Sequence, residues 1–525
     1  MSQYARVLAG AALPLLAWVV LRRIAGTRRT GLVATALDLM PVGVMWAVAF
    51  AITARPLGAG VLVLGLLLGL ALADRTKRAV LLEPVVFSDA AELVQVFTHP
   101  RLYLPFAGPA LVYGGGALVA IGFGGVLLAE PSWPRILPVA GVEGLAAALA
   151  AGLWFPPLLG LASSCLARLG PSGDPTRDTA ELGPLACLLT YSVIARRERP
   201  GRRAAVRPAP ALARTQATGA ALRPVVLLQV ESFFDPRRVS PSLPPDLLAG
   251  WDRCCARSVS HGRLSVPCWG ANTMRAEFTA LTGLPDEALG FDRFNPYWAF
   301  ARRPVDSLAW RLRAIGYRTV CVHPYSRRFY RRDVAMRCLG FDAFIGEEAF
   351  AGAERQRGYV SDRALARFVL DLLNADGRPV FVFAISMGNH GPWQDGPEAG
   401  LQDFLDGLRD SDGMFALMGD APVLERRAAV LAAYGDNQPG LPGIFASPGL
   451  ADTQTDYFVR DFGRVPPAAG TARDLAAYDL PGLLYDLAAQ NAAESRRGLE
   501  PIGGGALMTS GGPVSAEPLY SLDDE

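Results

Sequence analysis

Lysine is almost missing from this chain of 525 residues: Lys77 is the only one, and arginine supplies nearly all the positive charge. Beside abundant alanine, glycine and proline, that skew reads as a coding bias, so a single arginine is a weak marker of phosphate binding. The net charge of only +2 excludes the strongly basic surface that nucleic-acid binding requires. Histidine is scarce too, with four in the whole chain. The seven cysteines (165, 187, 254, 255, 268, 321 and 338) contain no C-x-x-C pair, which excludes a zinc-finger spacing. Vicinal Cys254 and Cys255 can pair with others in an oxidising compartment, with a connectivity that spacing does not fix. No small-residue cleavage site precedes Arg22 and Arg23, so the first apolar segment reads as a retained helix rather than a signal peptide.

Apolar sequence, by contrast, is plentiful, and almost all the excess lies in the first third. Hydrophobic residues make up 51% of the chain, unusual for a soluble enzyme. Candidate membrane spans are Val7–Leu21, Leu32–Thr53, Gly58–Ala73, Leu104–Ala129 and Ile136–Ala162. Each approaches the ~20 residues that a bilayer requires, the first and third being short. Asp38 and Glu143 fall inside these spans. Intramembrane carboxylates often line a pathway, but no partner is visible in the sequence and neither is given a role. Arg22, Arg23, Arg28 and Arg29 favour a cytoplasmic loop, which puts the N-terminus outside. Five spans then leave the C-terminal half inside, unless a short sixth span at Leu182–Ala195 returns it.

The pattern changes after the arginine-rich run from Arg196 to Arg203, which suits lipid headgroups better than a site. From Pro224 onward, short apolar runs alternate with helical stretches such as Ser361–Leu373 and Leu401–Met418. This alternation predicts an α/β domain with a mostly parallel sheet, whose ligands bind at the carboxyl ends of the strands. Four runs end in polar residues. Val225–Val230 leads to Glu231, Thr319–Val322 to His323, Val380–Ile385 to Asn389 and His390, and Ala428–Ala433 to Asp436 and Asn437. One strand-end carboxylate is usually a cap or a surface group, but four polar ends together mark a candidate site. The expected organisation is a transmembrane domain over 1–165, a juxtamembrane linker over 166–223, a catalytic domain over 224–495 and a flexible tail over 496–525.

The stretch from Trp269 to Phe278 organises this half. A small-residue turn, Gly270-Ala271-Asn272, delivers Thr273 to the first turn of a helix that Gly283 and Pro285 stop. A hydroxyl there faces unpaired backbone N–H groups and the positive end of the helix dipole, where an alkoxide or phosphate is stabilised. The plain alternative is that Asn272 or Thr273 merely caps the helix.

The order Glu231, Gly-Ala-Asn-Thr273, His323 with Phe329-Tyr-Arg-Arg-Asp333, Asn389-His390-Gly-Pro-Trp393 and Tyr-Gly-Asp436 resembles the lipoteichoic acid synthase-like phosphoglycerol transferases of the alkaline phosphatase/sulfatase superfamily. The match covers roughly residues 224–490. It implies an N-terminal α-helical transmembrane bundle of about five spans, followed by an α/β sulfatase-like catalytic domain on the outer side of the cell (inner) membrane, against the arginine count. Val86–Asp89 and Leu182–Leu185 also resemble family segments outside the membrane. The resemblance assigns Thr273 as nucleophile, and Glu231, Thr273 and Asp436 as ligands of one divalent cation. Asn437 stands where the family usually has histidine, so the ligands offer only oxygen, which suits Mg²⁺, Mn²⁺ or Ca²⁺ better than Zn²⁺. His390 matches a residue at the substrate phosphate or leaving group. His323 and Arg332 match residues that hold the headgroup, Tyr330 replaces a frequent tryptophan, and Arg275 and Trp393 complete the substrate-binding set.

The implied reaction passes a phosphoglycerol-type group from a lipid such as phosphatidylglycerol to an envelope polysaccharide or glucan, through a phospho-threonine. With water as acceptor the same site is a phosphodiesterase. A sulfuric-ester hydrolase needs a Cys or Ser in a C/S-x-P-x-R context, and Cys268 is followed by Trp-Gly-Ala instead. From a different class, the chain could be a non-catalytic membrane component that binds glycan or lipid. Asn437 favours that reading, whereas Thr273, Glu231 and Asp436 oppose it.

Overall fold

The computed structural model describes residues 2–28, 30–133, 156–206, 222–240, 242–394, 396–445, 453–465 and 471–497. They form two compact units, Met1–Arg202 with Gly290–Phe294, and Arg203–Leu289 with the chain from Asn295 onward. The expected tail lies almost wholly outside the described residues, as does most of the fifth expected span, with Glu143.

Among the described residues of the first unit, four helices are long and apolar enough to cross a membrane: Gln3–Ile24, Leu32–Thr53, Pro56–Leu81 and Pro109–Ala129. The first and third, short in the sequence reading, reach full length because the helices continue into flanking polar residues. Gly10 and Gly60 make this packing possible. A Cβ on Gly10 would meet the Pro56 carbonyl oxygen at 2.1 Å, and one on Gly60 would meet the Gly10 oxygen at 2.3 Å. The apolar stretch around Leu182–Ala195 is not a further span. Asp174 caps a helix over Pro175–Leu182, and a second helix, Pro184–Ala205, follows. Helices therefore occupy much of the stretch read as linker.

Asp38 has a clear structural role. Its buried carboxylate accepts hydrogen bonds from Trp18 Nε1 at 2.8 Å and Arg22 at 2.7 Å, and from the backbone N–H groups of Leu185 and Ala186 at 2.8 and 3.0 Å. It thus joins the first two helices to the amino end of Pro184–Ala205, whose dipole favours an anion there.

The second unit is built on an eight-stranded sheet in the order β10-β2-β9-β8-β1-β7-β3-β4. The strands are β1 (Val225–Val230), β2 (Ser260–Ser265), β3 (Arg318–Val322), β4 (Ala343–Ile345), β7 (Val380–Ile385), β8 (Val430–Gly435), β9 (Gln454–Asp461) and β10 (Leu475–Ala476). A separate hairpin pairs β5 (Arg355–Gln356) with β6 (Tyr359–Val360). From β8 to β4 neighbouring strands are parallel, and β9 alone runs against its neighbours. Strand β1 is buried on both sides: Val225 and Leu227 join one apolar core, and Val226, Leu228 and Val230 join the other. The helix Thr273–Thr282 packs in the first of these cores through Met274, Phe278 and Leu281.

Removing a buried carboxylate from an arginine and three further donors leaves those groups unsatisfied. Asp38→Ala should therefore cost about 3 kcal/mol. Thermal unfolding of the full chain in detergent would reveal this as a lowered midpoint, and an unchanged midpoint would deny Asp38 its pinning role.

Candidate active site

The site forms at the carboxyl ends of β1, β8, β7 and β3. Glu231 and Ser232 follow β1, while Asp436 and Asn437 follow β8, its hydrogen-bonded neighbour. Ser232 joins the two ends. Its backbone N–H donates to Asp436 Oδ1 at 2.9 Å, and its hydroxyl donates to Glu231 Oε1 at 2.9 Å, with Asn437 Oδ1 3.5 Å away. To do this Ser232 takes a left-handed backbone, with φ 53°. Such conformations cluster at functional sites because they persist only where the surroundings enforce them.

Thr273 opens its helix as expected, and its side chain stands near enough to Asp436 to oppose the rise in that carboxyl's pKa. Asn272 precedes it at φ 65° and makes no side-chain cap. The turn places the threonine, and the capping alternative has no hydrogen bond behind it. Glu231, Thr273, Asp436 and Asn437 thus converge around Ser232.

These four residues fit a divalent cation. Asp436 Oδ2 and Asn437 Nδ2 are buried and have no hydrogen-bond partner among the described residues. Burial pushes the Glu231 carboxyl up to about 7, with the Ser232 hydroxyl and the Arg332 charge opposing. Burial also raises Asp436 well above the ordinary carboxylate range, and the neighbouring Glu231 charge reinforces it. Two adjacent buried carboxylates with an open oxygen call for positive charge. Among the described residues no three His, Cys, Asp or Glu side chains gather into a metal site. A cation held by Glu231, Thr273, Asp436 and Asn437 would instead meet two carboxylates, a hydroxyl and an amide, an all-oxygen set suited to hard cations.

A second cluster surrounds Glu277, which the sequence reading passed over. It stands four residues after Thr273, fully buried, and accepts Gln229 Nε2 at 3.1 Å, Tyr297 Oη at 2.6 Å and Arg332 Nε at 3.0 Å. Arg332 NH2 bonds it as well, so the two form a buried ion pair. Tyr434 donates its hydroxyl to Gln229. The Arg332 guanidinium lies 5.1 Å from the Tyr330 ring centre, with Tyr330 and Arg331 both left-handed at φ 55° and 56°. His323 Nδ1 is 3.2 Å from the Ile385 carbonyl, and Nε2 is 3.2 Å from Arg332 NH1. A carbonyl only accepts, so the proton sits on Nδ1 and Nε2 takes the arginine's bond. Burial and the arginine charge hold this imidazole neutral, well below its usual range. Both nitrogens of the expected headgroup ligand are therefore engaged within the protein.

His390 is half-buried on the loop after β7. Its Nδ1 lies 2.6 Å from the Gly391 carbonyl, so Nδ1 carries the proton and neutral Nε2 is an acceptor. Burial lowers its pKa to about 4, and the charges of Arg357 and Arg332 add to the effect. Trp393 donates to Asn389 Oδ1 at 3.3 Å, while Arg275 is buried two residues after Thr273 on the same helix. Ser386 secures this loop to the cation seat, its Oγ accepting the Glu231 backbone N–H at 3.0 Å.

Comparison with known proteins bears on the fold and the family likeness. Residues 224–411 match the sulfatase family model. The likeness to sulfatases runs from β1 into the helix Pro397–Gly419. The capsular polysaccharide biosynthesis protein RkpI of Rhizobium meliloti (strain 1021) is similar along most of the chain, 29% identical over 471 residues and 84% of each protein. A putative cyclic beta-1,2-glucan modification protein of the same strain is 28% identical over 242 residues, 43% of this chain and 37% of the relative. Among solved structures, the integral membrane lipooligosaccharide phosphoethanolamine transferase A (EptA) of Neisseria meningitidis shares the fold, with a TM-score of 0.52 and 13% identity over 91% of this chain and 95% of that one.

Within the domain, Ser232 orients the carboxylates without needing to touch a cation. Loss of such an outer contact typically weakens metal binding about 10- to 100-fold, and Ser232→Ala should fall in that range. Calorimetric titration with Mn²⁺ measures it, and wild-type affinity in the variant would show that Ser232 orients nothing.

Proposed function

We propose that the chain is a membrane-anchored transferase that moves a phosphoglycerol-type group from a lipid donor to a cell-envelope glycan through phospho-Thr273. The observation that carries this reading is Thr273 at the start of a helix, near Asp436 with its buried, unpartnered carboxylate oxygen. Glu231, Thr273, Asp436 and Asn437 would hold one divalent cation, Mg²⁺, Mn²⁺ or Ca²⁺. When bound, it supplies the positive charge that screens an anionic phosphate from its nucleophile.

Thr273 Oγ bonds to phosphorus with Asp436 as acceptor for its proton, and the bond from phosphorus to the diacylglycerol oxygen breaks. His390 delivers a proton to that oxygen only after taking one up, because its Nε2 starts as an acceptor. An anionic substrate favours this uptake. His390 then returns to the neutral form that can accept the proton of the incoming glycan hydroxyl, which displaces Thr273 from phosphorus as Asp436 returns the proton to Thr273 Oγ. Arg275, His323, Tyr330, Arg332 and Trp393 would shape the headgroup side. The names of the two Rhizobium relatives, a capsular polysaccharide protein and a glucan modification protein, support a glycan acceptor.

Labelled phosphatidylglycerol tests the reaction. Wild-type chain should release diacylglycerol with Mg²⁺, Mn²⁺ or Ca²⁺ and far less with Zn²⁺, whereas Thr273→Ala should lose at least about a thousand-fold in turnover. An active alanine variant removes the nucleophile, zinc as best activator removes the oxygen-ligand reading, and release that needs no glycan makes the protein a phosphodiesterase.

The donor headgroup and acceptor glycan place the sulfatase-like domain outside the cytoplasm. A reporter active only there, fused after Pro208, should give signal. Signal from a cytoplasmic reporter alone would vindicate the arginines at 22–29.

A further inference from the structure

Glu277 belongs to no expected ligand or substrate set, yet it is the most heavily bonded carboxylate in the domain's interior. Gln229, Tyr297 and Arg332 supply it with five hydrogen-bond contacts, so its oxygens have none of the openness of Asp436 Oδ2. Its supports are aligned with the cation seat. Gln229 precedes Glu231 by two residues, Tyr434 precedes Asp436 by two, and Gln229 and Tyr434 are register partners on β1 and β8. Residues two apart on a strand lie on one face about 7 Å apart, so the Glu277 cluster sits one step below the two carboxylates.

Arg332 is nearly fully buried and is the cation of that cluster. Its charge reaches Glu231, and the Glu277 charge reaches both Glu231 and Asp436. A buried guanidinium needs a carboxylate, and Glu231 is one that the Arg332 charge already reaches.

The geometry points to Glu277 as a positioning residue that detains Arg332, so that a divalent cation rather than the arginine neutralises Glu231 and Asp436. This inference rests on the reading of those two residues as cation ligands. Glu277 shares a helix with Thr273 one turn away, so the nucleophile and the residue that keeps its cation seat open are fixed by one rigid element.

Calorimetric titration of the purified full chain in detergent with Mn²⁺ tests the inference without any substrate. Glu277→Gln releases Arg332 and should weaken Mn²⁺ binding about tenfold or more. Glu277→Gln combined with Arg332→Gln removes the competitor and should return affinity to within about threefold of wild type. Arg332→Gln alone should bind as tightly as wild type or tighter, and this carries the test if Glu277→Gln fails to fold. Glu277→Asp keeps the charge but shortens the reach, so weakened binding separates a lost grip from a changed field. Wild-type affinity in Glu277→Gln or Glu277→Asp, a double variant as weak as the single, or weaker binding in Arg332→Gln would each overturn the inference. A wild-type chain that binds no Mn²⁺ would instead overturn the cation seat itself.

Discussion

Two carboxylates that the fold brings together where water is largely excluded set the terms for everything around them. Strands β1 and β8 are neighbours in a parallel sheet, so the residues that follow them emerge side by side, and here those are Glu231 and Asp436. Burying like charges next to each other is among the most costly arrangements a protein can hold. The surroundings answer that cost. Ser232 bends into the left-handed region to bond both groups, Thr273 brings its hydroxyl to one of them, and the open oxygen of Asp436 remains for a cation.

Much of this was legible in the residues. Alternating apolar runs ending in Glu231, His323, His390 and Asp436 located the strand ends, because a parallel sheet buried on both faces writes itself as short continuous apolar runs. The glycine-containing turn before Thr273 announced a helix start. Glu277 and Ser232 were not legible for a different reason. Each acts through partners distant in the chain, Arg332 lying 55 residues from Glu277 and Asp436 lying 204 residues from Ser232. A carboxylate four residues after a candidate nucleophile, on the same helical face, was the available signal. The engagement of both His323 nitrogens was likewise beyond the sequence, since it depends on a carbonyl of β7 and on the arginine's placement.

The apolar half repeats the lesson with a single residue. Asp38 looked like a carboxylate without a partner because its partners come from two other segments: Trp18 and Arg22 from one helix, and the backbone of Leu185 and Ala186 from another far along the chain. The stretch around Leu182–Ala195 was ambiguous for a related reason. Its apolar residues are buried within the unit, as Ala186, Tyr191 and Ile194 show, and burial among helices has the same hydropathy as burial in lipid.

The hydrogen bond between His390 Nδ1 and the Gly391 carbonyl gives the imidazole a fixed polarity. One edge is committed to its own backbone, so only the other can exchange protons, and it begins empty. In the proposed transfer a group built this way would work as a ratchet between two half-reactions: loaded by the arrival of an anion, discharged onto a departing alcohol, and then left in the one state that can receive from the next. A free-standing imidazole could turn over and exchange with solvent from either edge; this one keeps the order of events.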